Sequence, residues 1–268
     1  MSGTGAQSAV TKALGRCGYL RFPADPRSTD WARAALEAAR PAIADPANGE
    51  WLRSGGTWFV GVNLLETMPS GAIGKTALKG PALDFIRATG LWPEAWDRAQ
   101  VSVIYPGYPK PGEGESHAAF RYRQNRDAAH VDGLHRVGPK ARRFAREYHG
   151  FILGLPLTEA GPNAAPTVVW EGSHRIVACA LKGVLGPAPL GDWPEIDVTD
   201  AYHAARAEAF ETCKRVELPA RPGEAYLIHR LALHGIAPWR EGAAADPEGR
   251  AIAFFRPDVS PEDWLNAP

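Results

Sequence analysis

The chain has 268 residues, with 30 Lys plus Arg against 30 Asp plus Glu and so no net formal charge. That balance speaks against a dedicated nucleic-acid or anionic-membrane surface and leaves a small molecule as the expected partner. The cysteines, Cys17, Cys179 and Cys213, are odd in number, far apart and in no zinc or redox spacing, which suits a reduced compartment better than a disulfide framework.

The opening MSGTGAQSAVTKALGRCGYLRF lacks a long apolar core behind a basic flank, so no secretory leader is expected. No run approaches the roughly 20 apolar residues of a membrane span, and a soluble cytoplasmic protein is the expectation. Within the opening, AQSAVTKALGR reads as a helix leading into a short strand, GYLRF. TDWARAALEAARPAI follows as a helix capped by Thr29 or Asp30 and limited by Pro41. TWFVGVNLL (57–65) is a strand candidate, and KTALKGPALDFIRATG is a helix closing on Gly90. Residues 1–100 thus predict a helical layer with edge strands, set against a sheet.

From residue 101 the texture changes to short runs bounded by Pro, Gly or Asp: VSVIY, AAHV, GFILGLPL, APTVVW, EAYLIH, LALHG and AIAFF. Such spacing predicts a sandwich or barrel core. Two helical pieces, SHRIVACALKGVL and DVTDAYHAARAEAFETCKR, interrupt it as an insertion of about 171–214. The expected fold is mainly β with flanking helices, an α+β chain forming one domain over 1–268 with its core in 101–268. Oligomeric state is not legible. The long stretch PGYPKPGEGESHAAFRYRQNR (106–126) reads as a lid or substrate loop, with Arg121, Arg123 and Arg126 as either an anion contact or a solvated face.

Chemistry concentrates in AAHVDG (128–133). In an extended segment, positions i and i+2 face one way, so His130 and Asp132 point together at one spot while Val131 turns aside. A mononuclear metal site needs a third ligand, and His234 ends the β-rich run EAYLIHRLALHG. His229, five residues earlier, is its rival; the odd spacing puts the two on opposite faces of a strand, and the glycine after His234 favours His234. Two histidines and a carboxylate on one face of a metal leave three positions open, which suits non-haem Fe(II) oxygenases that must bind a bidentate co-substrate and then O2. A 2-oxo diacid would need a buried cation for its distal carboxylate, a task for arginine's planar fork. Arg250, opening RAIAFFRP, is the first choice. Arg256 is the second, and Arg240 falls in a loop.

HVD, WEGSHR, EAYLIHRLALHG and RAIAFFRP in this order, after an opening helix and GYLRF, resemble the phytanoyl-CoA dioxygenase-like branch of the Fe(II)/2-oxoglutarate-dependent dioxygenases. The resemblance covers most of the chain, although its specific part is a few short motifs. It implies a double-stranded β-helix, a cupin-like jelly roll, with His130, Asp132 and His234 as iron ligands and Arg250 holding 2-oxoglutarate. Oxidative decarboxylation of 2-oxoglutarate with O2 would then yield succinate, CO2 and a hydroxylated substrate. Members that halogenate lack the acidic ligand, so Asp132 favours hydroxylation. The sequence departs from the family in the stretch between His234 and Arg250, where a loop appears inserted.

Other residues carry weaker signals. His174 in WEGSHR is read as a brace rather than a fourth ligand, which would occupy a position the co-substrate or O2 needs. Trp170, Tyr105, Tyr122, Phe151 and Trp239 are core residues or pocket walls. Two rival functions share the fold: a metal-dependent hydrolase or isomerase that activates water, and a non-catalytic binding protein. A buried arginine opening a late strand counts against the first, and an intact set of three ligands counts against the second.

Overall fold

The computed structural model describes residues 12–266. In chain order its strands are β1 (Tyr19–Phe22), β2 (Leu52–Arg53), β3 (Trp58–Gly61), β4 (Gln100–Ile104), β5 (Leu134–Val137) and β6 (Arg142–Ala145), followed by β7 (Phe151–Pro156), β8 (Thr167–Trp170), β9 (Arg215–Leu218), β10 (Ala225–His229), β11 (His234–Ile236) and β12 (Arg250–Phe255). The longer helices are α1 (Pro26–Ala44), α2 (Pro81–Ala88), α3 (His117–Asn125), α4 (Ser173–Leu185) and α5 (Thr199–Thr212), and a short α6 (Pro261–Asn266) follows β12.

A seven-stranded sheet runs in the order β1-β10-β7-β12-β4-β3-β2, a three-stranded sheet in the order β11-β8-β9, and β5 and β6 form a separate hairpin. Every pairing is antiparallel. From β4 onward the chain alternates between the two main sheets. β4 lies in the large sheet, and His130 bridges to β11 in the small one. β7 returns to the large sheet, β8 and β9 belong to the small one, and β10, β11 and β12 alternate again. This winding is a double-stranded β-helix, and the expected jelly roll is what forms.

Period-two alternation divides the large sheet into two faces. Val101, Val103, Phe151, Leu153, Leu155, Ala225, Leu227, Ala251, Ala253 and Phe255 join the core cluster that α1 and α2 cover. Ile152, Tyr226, Ile228, Ile252 and Phe254 point the other way, toward the small sheet, where Val169 and Leu218 meet them. Helix α1 fits this arrangement because Trp31, Ala32, Ala35 and Ala39 recur at helical spacing and are buried. The Trp31 indole donates to the Gly71 carbonyl at 2.9 Å and stacks obliquely on Phe255, with ring centroids 5.6 Å apart.

Several local expectations change. Helix α1 starts four or five residues before Thr29 and Asp30: Asp25 is its cap, accepting from the Arg27 amide, with Pro26 at the first position. Pro41 lies inside the helix, which continues to Ala44 along its exposed side. The N-terminal helix expected over AQSAVTKALGR is present at residues 12–17, and its earlier part lies outside the described residues. TWFVGVNLL is a strand only over Trp58–Gly61, and AAHV contributes a single bridge in place of a strand. LALHG is extended only from His234 onward. The stretch 106–126 contains α3, capped by Ser116. Among the described residues no helix is long and apolar enough to cross a membrane.

Candidate metal centre

His130 and His234 face each other as a directly paired residue couple. Each backbone amide donates to the other's carbonyl, at 2.8 and 3.0 Å. The rings stand on the same side of this bridge with centroids 4.6 Å apart. Asp132, two residues from His130, comes to the same side while Val131 is buried in the cluster under α4 and α5. One ligand atom from each of His130, Asp132 and His234 lies within 4.8 Å of the others.

Hydrogen bonds orient both rings. His130 Nδ1 lies 3.0 Å from the Ala128 carbonyl, and His234 Nδ1 lies 2.9 Å from that of Ala232. A carbonyl only accepts, so Nδ1 is the donor in each case and Nε2 is the nitrogen turned toward Asp132. His130 Nε2 is 3.1 Å from Asp132 Oδ1, and His234 Nε2 is 3.6 Å from Asp132 Oδ2. His234 Nε2 is buried without a hydrogen-bond partner. Two imidazole nitrogens and a carboxylate oxygen gathered in this way suit a divalent cation. Backbone carbonyls behind metal-binding histidines are a common outer-shell device.

Burial alone would raise the Asp132 carboxyl, but Arg256, His234 and His130 outweigh it and hold it well below the usual carboxylate range. Arg256 follows β12 directly. Its Nε donates to Asp132 Oδ2 at 2.5 Å, its Nη1 donates to Gln100 Oε1 at 2.7 Å, and its own amide donates to both oxygens of Asp97 at 3.0 Å.

The three side chains open into a cavity of about 690 Å³ between the sheets. Trp58, Ser102, Ile152, Thr167, Ile228 and Phe254 wall it on the inner face, and Asp97, Glu147, His149 and Asp258 stand around it farther along the chain's loops. Trp58 and Phe254 were not singled out by sequence. Their signal was membership of the inward set of β3 and β12. Trp170, Tyr105, Tyr122, Phe151 and Trp239 do not line the cavity. Phe151 and Trp170 are core, and Trp239 packs near Tyr108.

Arg250 lies at the start of β12, only 3% exposed, on the inward side with Ile252 and Phe254. Its Nη2 donates to Thr167 Oγ1 at 2.9 Å, and that oxygen lies 2.8 Å from Tyr226 Oη. Arg250 Nη1 and the buried Tyr108 hydroxyl have no hydrogen-bond partner. Burial lowers the Arg250 guanidinium and pushes the Tyr108 hydroxyl up to about 12, so the phenol stays protonated at neutral pH. Among the described residues no acid is bonded to Arg250, whereas Arg256 is committed to Asp132. Thr167 lines the cavity, whereas Arg250 lies behind it and is not one of the lining residues.

The remaining candidates lie elsewhere. His174 Nε2 bonds the Gly15 carbonyl at 2.9 Å, and its ring packs on His229 with centroids 4.6 Å apart. His229 Nδ1 accepts from the Leu231 amide at 3.1 Å, so this rival to His234 belongs to a separate buried pair. Arg240 binds Glu217 and Asn163 at the surface. Arg123 pairs with Glu115, and Arg126 stacks over Phe210.

No family model and no curated protein matches the chain. Among solved structures it is similar to EctD from S. alaskensis, determined with 2-oxoglutarate and 5-hydroxyectoine, at 19% identity and a TM-score of 0.49, covering 93% of this chain and 76% of that one. AviO1 from Streptomyces viridochromogenes Tue57 aligns at 15% identity and a TM-score of 0.49, over 95% of this chain and 96% of its own. SnoN from nogalamycin biosynthesis, a non-haem alpha-ketoglutarate-dependent epimerase, aligns at 12% identity and a TM-score of 0.48, over 98% and 91%. Likenesses this distant assign no activity.

Proposed function

We propose that the chain is an Fe(II)- and 2-oxoglutarate-dependent oxygenase that hydroxylates a small molecule held in the cavity between its sheets. The observation that carries this reading is the convergence of His130, Asp132 and His234, with both Nδ1 atoms tied to backbone carbonyls and both Nε2 atoms turned inward. Three protein ligands of this kind leave positions for a chelating co-substrate and O2.

Iron(II) bound there with 2-oxoglutarate would supply the oxidising chemistry: O2 and 2-oxoglutarate are consumed, succinate and CO2 leave, and a substrate C–H bond becomes C–OH. The chain's own residues bind and orient. Arg250, with Thr167 beside it, is the proposed partner of the distal carboxylate of 2-oxoglutarate. A buried guanidinium without an acid is costly to keep, which argues for an anionic ligand. Asp132 occupies the position that a halide would need, which favours hydroxylation. The apolar walls Trp58, Ile152, Ile228 and Phe254 give the substrate an apolar surface beside the reacting centre.

The test is anaerobic titration with Fe(II) and then 2-oxoglutarate, followed by O2 and a screen for succinate release across a metabolite panel. Tight Fe(II) binding, 2-oxoglutarate binding that depends on it, and succinate formed with O2 are expected. Failure of Fe(II) to bind, or of 2-oxoglutarate to bind the iron form, overturns the reading.

A further inference from the structure

Asp132 carries two oxygens, and they have different neighbours. Oδ1 faces His130 Nε2 at 3.1 Å, whereas Oδ2 takes the Arg256 Nε–H at 2.5 Å and stands farther, 3.6 Å, from His234 Nε2. The arginine is held from three sides. Gln100 Oε1 receives its Nη1, Asp97 receives its backbone amide, and its guanidinium carbon lies 5.2 Å from the centre of the Phe254 ring. Asp97 and Gln100 frame the start of β4, so the brace ties two neighbouring strands of the large sheet to a side chain in the turn that follows the His130 bridge.

Such a brace does more than neutralise charge. A carboxylate with both oxygens free can chelate a metal through both and take up an extra position. One oxygen bound to a fixed, permanently charged donor is much less available for that. We propose that Arg256 is a positioning residue of the metal centre: it reserves Asp132 Oδ2 for itself, so that the carboxylate serves the metal through Oδ1 and the remaining positions stay open for the co-substrate. The proposal rests on the oxygenase reading and deepens it. It gives Arg256 a task distinct from that of Arg250, which has no contact with Asp132.

The test compares the full-length wild type with Arg256→Gln, Arg256→Lys and Gln100→Met in anaerobic Fe(II) titrations, followed by 2-oxoglutarate titrations of the iron-loaded proteins and by thermal melts of the apo and iron-loaded forms. Arg256→Gln is expected to weaken 2-oxoglutarate binding by about 10–100-fold, the scale for losing an outer partner of a metal ligand, and to change the absorption of the iron–2-oxoglutarate complex. Arg256→Lys keeps charge without the planar fork and should fall between. Gln100→Met leaves Asp132 and Arg256 intact but removes a brace, so a smaller shift in the same direction is expected even if Arg256→Gln folds poorly. Equal 2-oxoglutarate affinity and an unchanged spectrum in folded Arg256→Gln, or a loss confined to apo-protein melting temperature, overturns the positioning role. Absence of Fe(II) or 2-oxoglutarate binding in the wild type would instead overturn the oxygenase reading, which separates the two failures.

Discussion

His130 and His234 exchange backbone hydrogen bonds directly across the seam between the His130 segment and β11, so one antiparallel pair sets the separation of two imidazoles 104 positions apart in sequence. The proposed metal centre therefore depends on backbone register as much as on its side chains. Gly235 is the tight point of that register, because a Cβ there would stand 2.1 Å from the Asp127 carbonyl oxygen. Gly235→Ala is expected to shift the seam, weaken Fe(II) binding and cost at least the ~1–3 kcal/mol typical of overpacking. Paired Fe(II) titration and thermal melts check this; wild-type affinity would refute it.

Removing the proposed acidic ligand separates binding from folding. Asp132→Asn keeps an acceptor for Arg256 but loses the charge. Fe(II) affinity is expected to fall by more than the roughly 10–100-fold cost of disturbing an outer partner, with the circular dichroism spectrum unchanged. Retained Fe(II) affinity would count against Asp132 as a ligand.

Arg250 gives a prediction of opposite sign for stability and binding. Its guanidinium is buried, bonded to Thr167 and faced by no acid. Arg250→Met should leave folding stability unchanged or raise it by up to ~4 kcal/mol, as when buried charges are replaced by apolar groups. The same variant should lose 2-oxoglutarate binding, since charge-assisted bonds contribute about 1.5–3 kcal/mol each. Chemical denaturation and 2-oxoglutarate titration measure the two effects on one sample.

Gly154 reports on the same region indirectly. A Cβ at this inward position would meet the Tyr226 ring at 2.3 Å, and Tyr226 leads through Thr167 to Arg250. Gly154→Ala is expected to raise the 2-oxoglutarate KM several-fold, on the ~1 kcal/mol scale of one disturbed hydrogen bond, and to leave Fe(II) affinity alone. Loss of both affinities together would point to general unfolding of the large sheet.

The pair His174 and His229 sets an acid limit. Burial lowers both, His229 well below its ordinary value, so the folded protein binds fewer protons here than the unfolded chain. Stability is unaffected by this pair above about pH 6.5, the unfolded histidine value, and declines as pH falls below it. His174→Gln should flatten that decline in pH-dependent melts; an unchanged slope would assign acid sensitivity to other groups.

The sequence conveyed the jelly roll because its core strands are dense in β-branched and aromatic residues between Pro, Gly and Asp breaks. FILGLP, TVVW, AYLIH and RAIAFF are strands within two residues of the expected ends. What was missed is polar. RVEL of β9 and the basic hairpin LHRV and RRFA alternate too weakly to be told from loops, and they are specified by tertiary pairing. The three candidate ligands meet because the spacing argument fixed His130 and Asp132 on one side, and Gly235 marked the strand that delivers His234. The partner of Arg256 was not legible, since strand parity says which way a side chain points but not that an acid from the turn after the His130 bridge waits there. The pairing of His174 with His229 depends on the path of α4, which no local pattern encodes.

The two faces of the large sheet also divide the protein's capacity to change. Leu153, Leu227 and Phe255 sit in the densely filled half under α1, where truncation to Ala costs ~2–5 kcal/mol. Ile152, Ile228 and Phe254, one residue away along the same strands, border open space. Successive residues of a single strand thus answer to different selective pressures, one to persistence of the fold and the next to the identity of the guest. A chain built this way can acquire new substrates through alternate positions of its strands while its thermal endurance stays nearly constant.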